Sequence, residues 1–299
     1  VKRVYLGVAI PHFGRNLSRE SVYTIAEAAE RLEYDSIWTT DHVAIDSANY
    51  YPYGKIYESI ATLAAAGAVT ERVKIGTSII VLPMRNAVLT AKQLATIDSL
   101  TDGRLIVGLG VGWCEKEFAN LGASFRRRGR HMDEAIRLLR TVWSNERPAF
   151  RGEFYRIADA VFEPPPSQRG GPPIWIGGNS RVALKRAVKL ADGWHPTGIH
   201  PDTFREMVAL VPTEIQRSFT LSVRLTVELD GKGVREYTSP QGERRVILGG
   251  RESELSDYLS QYVRYGASHL VLYFGDTSPD KYVERMASFV RDVYPSVAT

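Results

Sequence analysis

The chain has 299 residues, 44% hydrophobic and 24% charged, with 38 basic and 34 acidic residues for a net charge of +4; this is ordinary globular composition, too mildly and diffusely basic for a nucleic-acid partner. A single cysteine, Cys114, excludes an internal disulfide framework and any cysteine-clustered metal site. No stretch approaches the ~18 apolar residues of a membrane helix, and the opening VKRVYLGVAIPHFG has too short an apolar run for a signal peptide, so a cytoplasmic protein with no membrane partner is expected.

RVYLGVAI is an apolar run of strand length, and SRESVYTIAEAAERL follows as an amphipathic helix with Val22, Ile25, Ala26, Ala29 and Leu32 on one face. Serines 18 and 21 offer polar caps at its start. A second strand, DSIWT, runs out into Asp41 and His42 and then into a loop over 44–54 rich in Tyr, Pro and Asn. IYESIATLAAAGAV reads as a helix and VKIGTSIIVL as the third strand. The helix AVLTAKQLATIDSL puts Ala91, Leu94, Ala95 and Asp98 on one face. TDGR turns into the fourth strand, LIVGLGV, and MDEAIRLLRTVW is the next helix. Residues 145–172 have Gly and Pro punctuation and no helical period, which predicts an inserted hairpin and loop. Strand IWI, helix RVALKRAVKLA, short strand DGWH and a helix near DTFREMVAL resume the alternation. FTLSVRLTVEL has strict period two, with Phe219, Leu221, Val223, Leu225 and Val227 on one side. A polar loop insertion is expected over 230–249, before helix SELSDYLSQYVRYG, strand SHLVLYF and helix DKYVERMASFVRDVY.

Eight strands, each followed by a helix, predict an α/β fold, a closed (β/α)8 TIM barrel forming one domain over 1–299. A doubly wound open sheet shares the alternation, and the count of eight favours the barrel. In a barrel the chemistry sits on the loops after the strands. Asp41 and His42 occupy such a position after strand two, where a turn with a surface histidine and a general acid/base pair are both open. Gly108, Gly110 and Gly112 leave one face of strand four without side chains, which offers a flat ring close approach. The run is not a dinucleotide fingerprint, because Trp113 stands where a glycine is required. Gly177 and Gly178 end strand five, and Asn179 or Ser180 then caps a helix whose free N–H groups offer an anion site. His195 follows strand six, and Thr77 and Ser78 are polar residues in an otherwise apolar third strand. The basic run Arg126 to His131 is either a solvated helix entry or a contact for an anionic ligand tail. Tyr50, Tyr51 and Tyr53 hint at an apolar or planar ligand. Cys114 has no local base and is expected to be structural. Zinc-protease, P-loop and nucleophile-elbow motifs are absent.

DSIWTTDH, IGTSIIVLPMRNAVLTAKQLATIDSLTDGRLIVGLGVGWCEKEF, RGRHMDEAIRLLRTVW, FRGEFY, PPIWIGGNS and ADGWHP occur in order and at matching spacing. With these motifs the chain closely resembles the bacterial luciferase-like monooxygenase family over residues 4–295, and within it the group that uses the deazaflavin coenzyme F420. The resemblance implies a dimeric TIM barrel with a cofactor across its mouth. By it, His42 is the catalytic imidazole and Asp41 the cofactor-contacting acid. Ser78 and Ile79 match a non-prolyl cis peptide that backs the cofactor ring; Val81, Val111, Gly112 and Trp113 match further ring and tail contacts. Gly177, Gly178 and Asn179 match the phosphate-binding loop, while Phe13, Trp113 and His195 are expected to face the substrate pocket. The chain departs from the family's sugar-phosphate and alcohol dehydrogenases at Trp113, where those enzymes carry a glutamate; Glu115 and Glu117 lie nearby but out of register.

The expected reaction is hydride transfer between F420 and a small organic substrate, with His42 moving the proton. One alternative is an FMN-dependent monooxygenase supplied with reduced flavin by a separate reductase. Another is a non-catalytic flavin-binding protein.

Overall fold

The computed structural model describes residues 3–229 and 231–297. In chain order its strands are β1 (Tyr5–Ala9), β2 (Ser36–Thr39), β3 (Lys74–Thr77), β4 (Ile80–Val81), β5 (Leu105–Gly110), β6 (Phe150–Arg151), β7 (Arg156–Ile157), β8 (Ile174–Gly177), β9 (Gly193–His195), β10 (Thr220–Glu228), β11 (Arg235–Thr238), β12 (Arg244–Gly249) and β13 (His269–Tyr273). Eight parallel positions close on themselves in the order β1, β2, β3, β5, β8, β9, β10, β13 and back to β1. Helices connect them, as the alternation predicted.

Alternation within each strand sorts side chains between two environments. Ile37, Ile75, Val107, Ile176, Val223, Leu225 and Leu270 face the helices and join the main apolar core. The inward residues form a different interior. Trp38, Ile106, Trp175 and Val271 come from four strands and pack together, with the two indoles stacked at 5.2 Å. Close approach by Trp38 requires glycine on both neighbouring strands. A Cβ on Gly7 would lie 2.6 Å from its Nε1, and one on Gly76 would lie 2.5 Å from its ring carbons.

The third predicted strand is broken in two. The Ser78–Ile79 peptide is cis, and β4 leaves the line of β3 and pairs with the upper half of β5. This bulge fills the glycine face of β5. A Cβ on Gly108 would stand 1.9 Å from the Thr77 carbonyl oxygen, and one on Gly110 would stand 2.4 Å from Ile79 Cδ1. The expectation that a flat ring lies on that bare strand therefore gives way: the bulge occupies the space itself.

The 145–172 insertion carries the short β6–β7 hairpin. It is pinned by Glu134, whose carboxylate accepts from the N–H groups of Glu153, Phe154 and Tyr155 at 2.8 Å. Asp98, buried on an apolar helix face, is satisfied by the backbone and side-chain nitrogens of Gln168. The 230–249 insertion is more than a loop. Arg235–Thr238 and Arg244–Gly249 form a hairpin, and β12 runs parallel to the protruding end of β10. The buried Val246 and Leu248 are the alternation that flanking charges obscured.

Candidate active site at the barrel mouth

Asp41 and His42 leave β2 at the C-terminal end of the barrel and turn in different directions. The Asp41 carboxylate is 2% exposed and fully engaged by the protein. It accepts from Val81 N–H at 2.9 Å and from Arg85 at 3.1 Å and 2.5 Å. Arg85 also reaches Glu58 at 2.6 Å, so one guanidinium ties two carboxylates to the segment after the cis peptide. Asp41 thus anchors the Ser78–Val81 bulge, with its oxygens spent inside the protein.

His42 is 6% exposed and its Nδ1 lies 2.8 Å from Glu117 Oε2. Glu117, 1% exposed, accepts through Oε1 from the N–H groups of Val43 and Ala44 at 2.6 and 3.2 Å. Burial opposes ionisation of this carboxyl, but its bond to His42, the imidazole's charge and the two backbone donors together hold it below the ordinary carboxylate range. An ionised carboxylate only accepts, so Nδ1 carries a proton, and when the ring is neutral Nε2 presents its lone pair. Nε2 has no hydrogen bond among the described residues and is not sealed from solvent. Tyr53 packs on the imidazole at 4.3 Å, and Trp113 meets it edge-on at 5.7 Å.

Glu117 is the functional residue that sequence reasoning set aside. Residues 115–120 form one short helix, which swings position 117 back to His42. The available signal was a buried stripe at helical spacing, Cys114, Glu117 and Phe118, with a carboxylate in its middle. His12 was also passed over. It accepts the Thr40 N–H through Nε2 at 2.7 Å, which leaves Nδ1–H for the Tyr57 carbonyl at 3.1 Å. Burial lowers it to about 3; the Tyr57 bond opposes this and the nearby Arg224 charge adds to it.

Below the mouth, Ser78 Oγ bonds His195 Nε2 at 2.8 Å, and His195 Nδ1 bonds Ser222 Oγ at 2.8 Å. His195 is 2% exposed, stacked on Trp38 and lowered to about 3 by burial, Arg224 and His269. Expected at the substrate pocket, it is instead a neutral group inside the barrel. Phe13 is likewise packed away, 3% exposed between Tyr53 and Tyr273. Val111, Gly112 and Trp113 are half-buried around the mouth, as is Ile79. Gly178 takes φ +114°, and the N–H groups of Gly178, Asn179 and Ser180 donate to nothing among the described residues. Asn179 itself clamps the Thr197 backbone through both side-chain atoms.

The basic run is absorbed locally: Arg128 lies over Phe125, and Arg127 and Arg130 over Phe154. Cys114 is buried with its thiol directed at Asp46, and burial pushes that thiol up. A cavity of about 530 Å³ among Tyr5, Lys74, Trp175 and His269 opens at the opposite end of the barrel, where residues serve stability rather than chemistry. Among the described residues, no helix is long and apolar enough to cross a membrane, and no cluster of side chains could hold a metal ion.

A family model described as luciferase-like monooxygenase matches residues 9–233. An FMNH(2)-dependent dimethylsulfone monooxygenase of Pseudomonas putida is 38% identical over 145 residues, 48% of this chain and 40% of that protein. An F420-dependent glucose-6-phosphate dehydrogenase of Kineococcus radiotolerans is 27% identical over 320 aligned positions, 90% of each chain. An F420-dependent secondary alcohol dehydrogenase, solved with an F420-acetone adduct, shares the fold with a TM-score of 0.80 at 18% identity, covering 99% of this chain and 100% of that one.

Proposed function

The chain belongs to the luciferase-like monooxygenase family, and from that premise we propose that it is an oxidoreductase moving a hydride between F420 and a small organic substrate, with His42 moving the proton. One observation carries this: an imidazole fixed through Nδ1 to ionised Glu117, with Nε2 unpartnered at the barrel mouth. Such a group can give or take a proton through Nε2 while the carboxylate behind it fixes the ring's orientation.

The residues around it suit a flat ring with an anionic tail. Half-buried Ile79 and Val111 offer an apolar wall beside Trp113, and three unpaired N–H groups after β8 suit a phosphate at a helix start. When bound, the deazaflavin would supply or accept the hydride. The chain's own part is to fix the ring against the bulge, which Asp41 and Arg85 hold in place, and to pass a proton to or from the substrate through His42 Nε2. A second reading, an FMN-dependent monooxygenase served by a separate reductase, is favoured by the 38% identity over 145 residues to an FMNH(2)-dependent enzyme.

Titrating the purified protein with F420 and with FMN, followed by fluorescence, separates the two. The proposal expects tighter binding of F420. It also expects His42→Ala to keep that affinity while turnover on a substrate panel falls by about 10²-fold or more. Binding of FMN alone, with oxygen consumption once it is reduced, transfers the assignment to the second reading. Undiminished turnover by His42→Ala ends the role given to the imidazole.

A further inference from the structure

Arg224 is a half-buried cation near the barrel mouth that no carboxylate answers among the described residues. Arg224 projects from the inward face of β10, in line with Ser222, whose hydroxyl bonds His195. Its Nη1 is spent on Thr40 Oγ1 at 2.7 Å and the Ser78 carbonyl at 2.8 Å. Nε and Nη2 make no hydrogen bond among the described residues, and neither is sealed from solvent. The other arginine of this region, Arg85, is answered by Asp41 and Glu58. Arg224 forms no ion pair among the described residues. Its charge bears on His12, His195, Tyr273 and Tyr282. Burial keeps both histidines uncharged near neutral pH and pushes both phenols up, so all four are neutral there.

A half-buried guanidinium with half its fork free is poised for an oxyanion, which it grips through paired N–H donors. The balance of charge narrows the class. Arg224 brings a single positive charge, and the Glu117 carboxylate stands at the same mouth. A dianion such as a phosphate ester would bring a second negative charge that Arg224 alone does not balance. Thr40, which Arg224 bonds, lies two residues before His42, so an anion held there sits against the loop that carries the imidazole.

We propose that Arg224 anchors a small organic substrate through a single oxyanion, a carboxylate or a sulfonate, at the barrel mouth. This names the substrate class for the oxidoreductase reading above and rests on it only in calling the bound anion a reactant.

The test uses isosteric pairs, benzoate against benzamide and benzenesulfonate against benzenesulfonamide. Each is titrated into the protein alone and again with saturating F420 or FMN, and binding is read by ligand-observed NMR. Wild type should bind the acids at least about tenfold more tightly than the amides. Arg224→Gln should lose that preference while keeping its affinity for benzamide. Arg224→Lys should retain part of it, and Thr40→Val, which leaves the free half of the fork untouched, should retain all of it. The acid-over-amide ranking of the pairs that bind then tells carboxylate from sulfonate. Equal binding of acids and amides by wild type overturns the proposal, and so does a preference that survives in Arg224→Gln. Failure of F420 and FMN to bind, with the anion preference intact, would sink the redox reading and leave the anion site standing.

Discussion

Replacing Glu117 with glutamine changes one atom and should invert the state of His42. The amide oxygen can keep the Val43 and Ala44 N–H bonds now made by Oε1. The amide nitrogen then stands where Oε2 accepts from His42 Nδ1 at 2.8 Å, and it donates. Nδ1 must become the acceptor, so the proton moves to Nε2 and the lone pair that faces the mouth is lost. In stability, three bonds to a charged carboxylate become neutral ones, a gross loss of about 3 kcal/mol. Relief of the buried charge offsets part of this, leaving roughly 1–2 kcal/mol and a melting temperature lower by about 2–3 °C. Turnover should fall by about 10²- to 10⁴-fold, the cost of misplacing a catalytic proton. Nitrogen-15 spectra of histidine-labelled protein read the tautomer directly, and calorimetry reads the melting point. Because the fold lowers the Glu117 pKa, the stabilisation from its ionised form is complete above the ordinary glutamate range and is lost as pH falls through the depressed folded value. Glu117→Gln should lack that acid-side component. A glutamine variant that keeps its proton on Nδ1 and turns over like wild type would refute the dyad.

Arg85→Met should leave the Asp41 carboxylate buried without its partner, at a cost of about 3–5 kcal/mol in denaturant unfolding; adding Asp41→Asn should recover part of it, and independent effects would argue against the clamp. Gly110→Ala should destabilise through collision with the Ile79 side chain, and Ile79→Ala should rescue it, whereas Gly108→Ala meets the Thr77 backbone carbonyl and should find no such rescue. His12, His195 and His269 are each lowered to about 3, chiefly by burial. The unfolded chain therefore binds protons that the native state refuses, and stability should drop by roughly 3–4 kcal/mol between pH 6 and pH 5, about 1.2 for each histidine. A slope no steeper than one histidine's, measured by denaturant melts, would show that these groups are hydrated.

Much of the architecture was written in the chain itself. Alternating strand and helix periods, counted to eight, favour a barrel over an open doubly wound sheet, because amphipathic helices and apolar strands have few other ways to bury their faces together. The order of strands also fixes that Asp41 and His42 leave from the C-terminal end. Their division of labour was not legible, since adjacent residues leaving a strand point apart and their partners, Arg85 and Glu117, lie 44 and 75 positions away. Local spacing placed Glu117 out of register with the glycine run; one short helical turn returns it to the imidazole, and only three-dimensional packing produces that turn. The glycines of β5 misled for the same reason. A bare strand face states that something comes close, and it took the bulge to supply the occupant, Ile79. Arg224 was visible as one charge in a period-two strand, yet whether an inward charge is answered depends on the side chains that neighbouring strands bring to its level. Sequence fixes periodicity, and hence which elements form; pairing between distant polar groups is decided by tertiary geometry, and the site is made of such pairs.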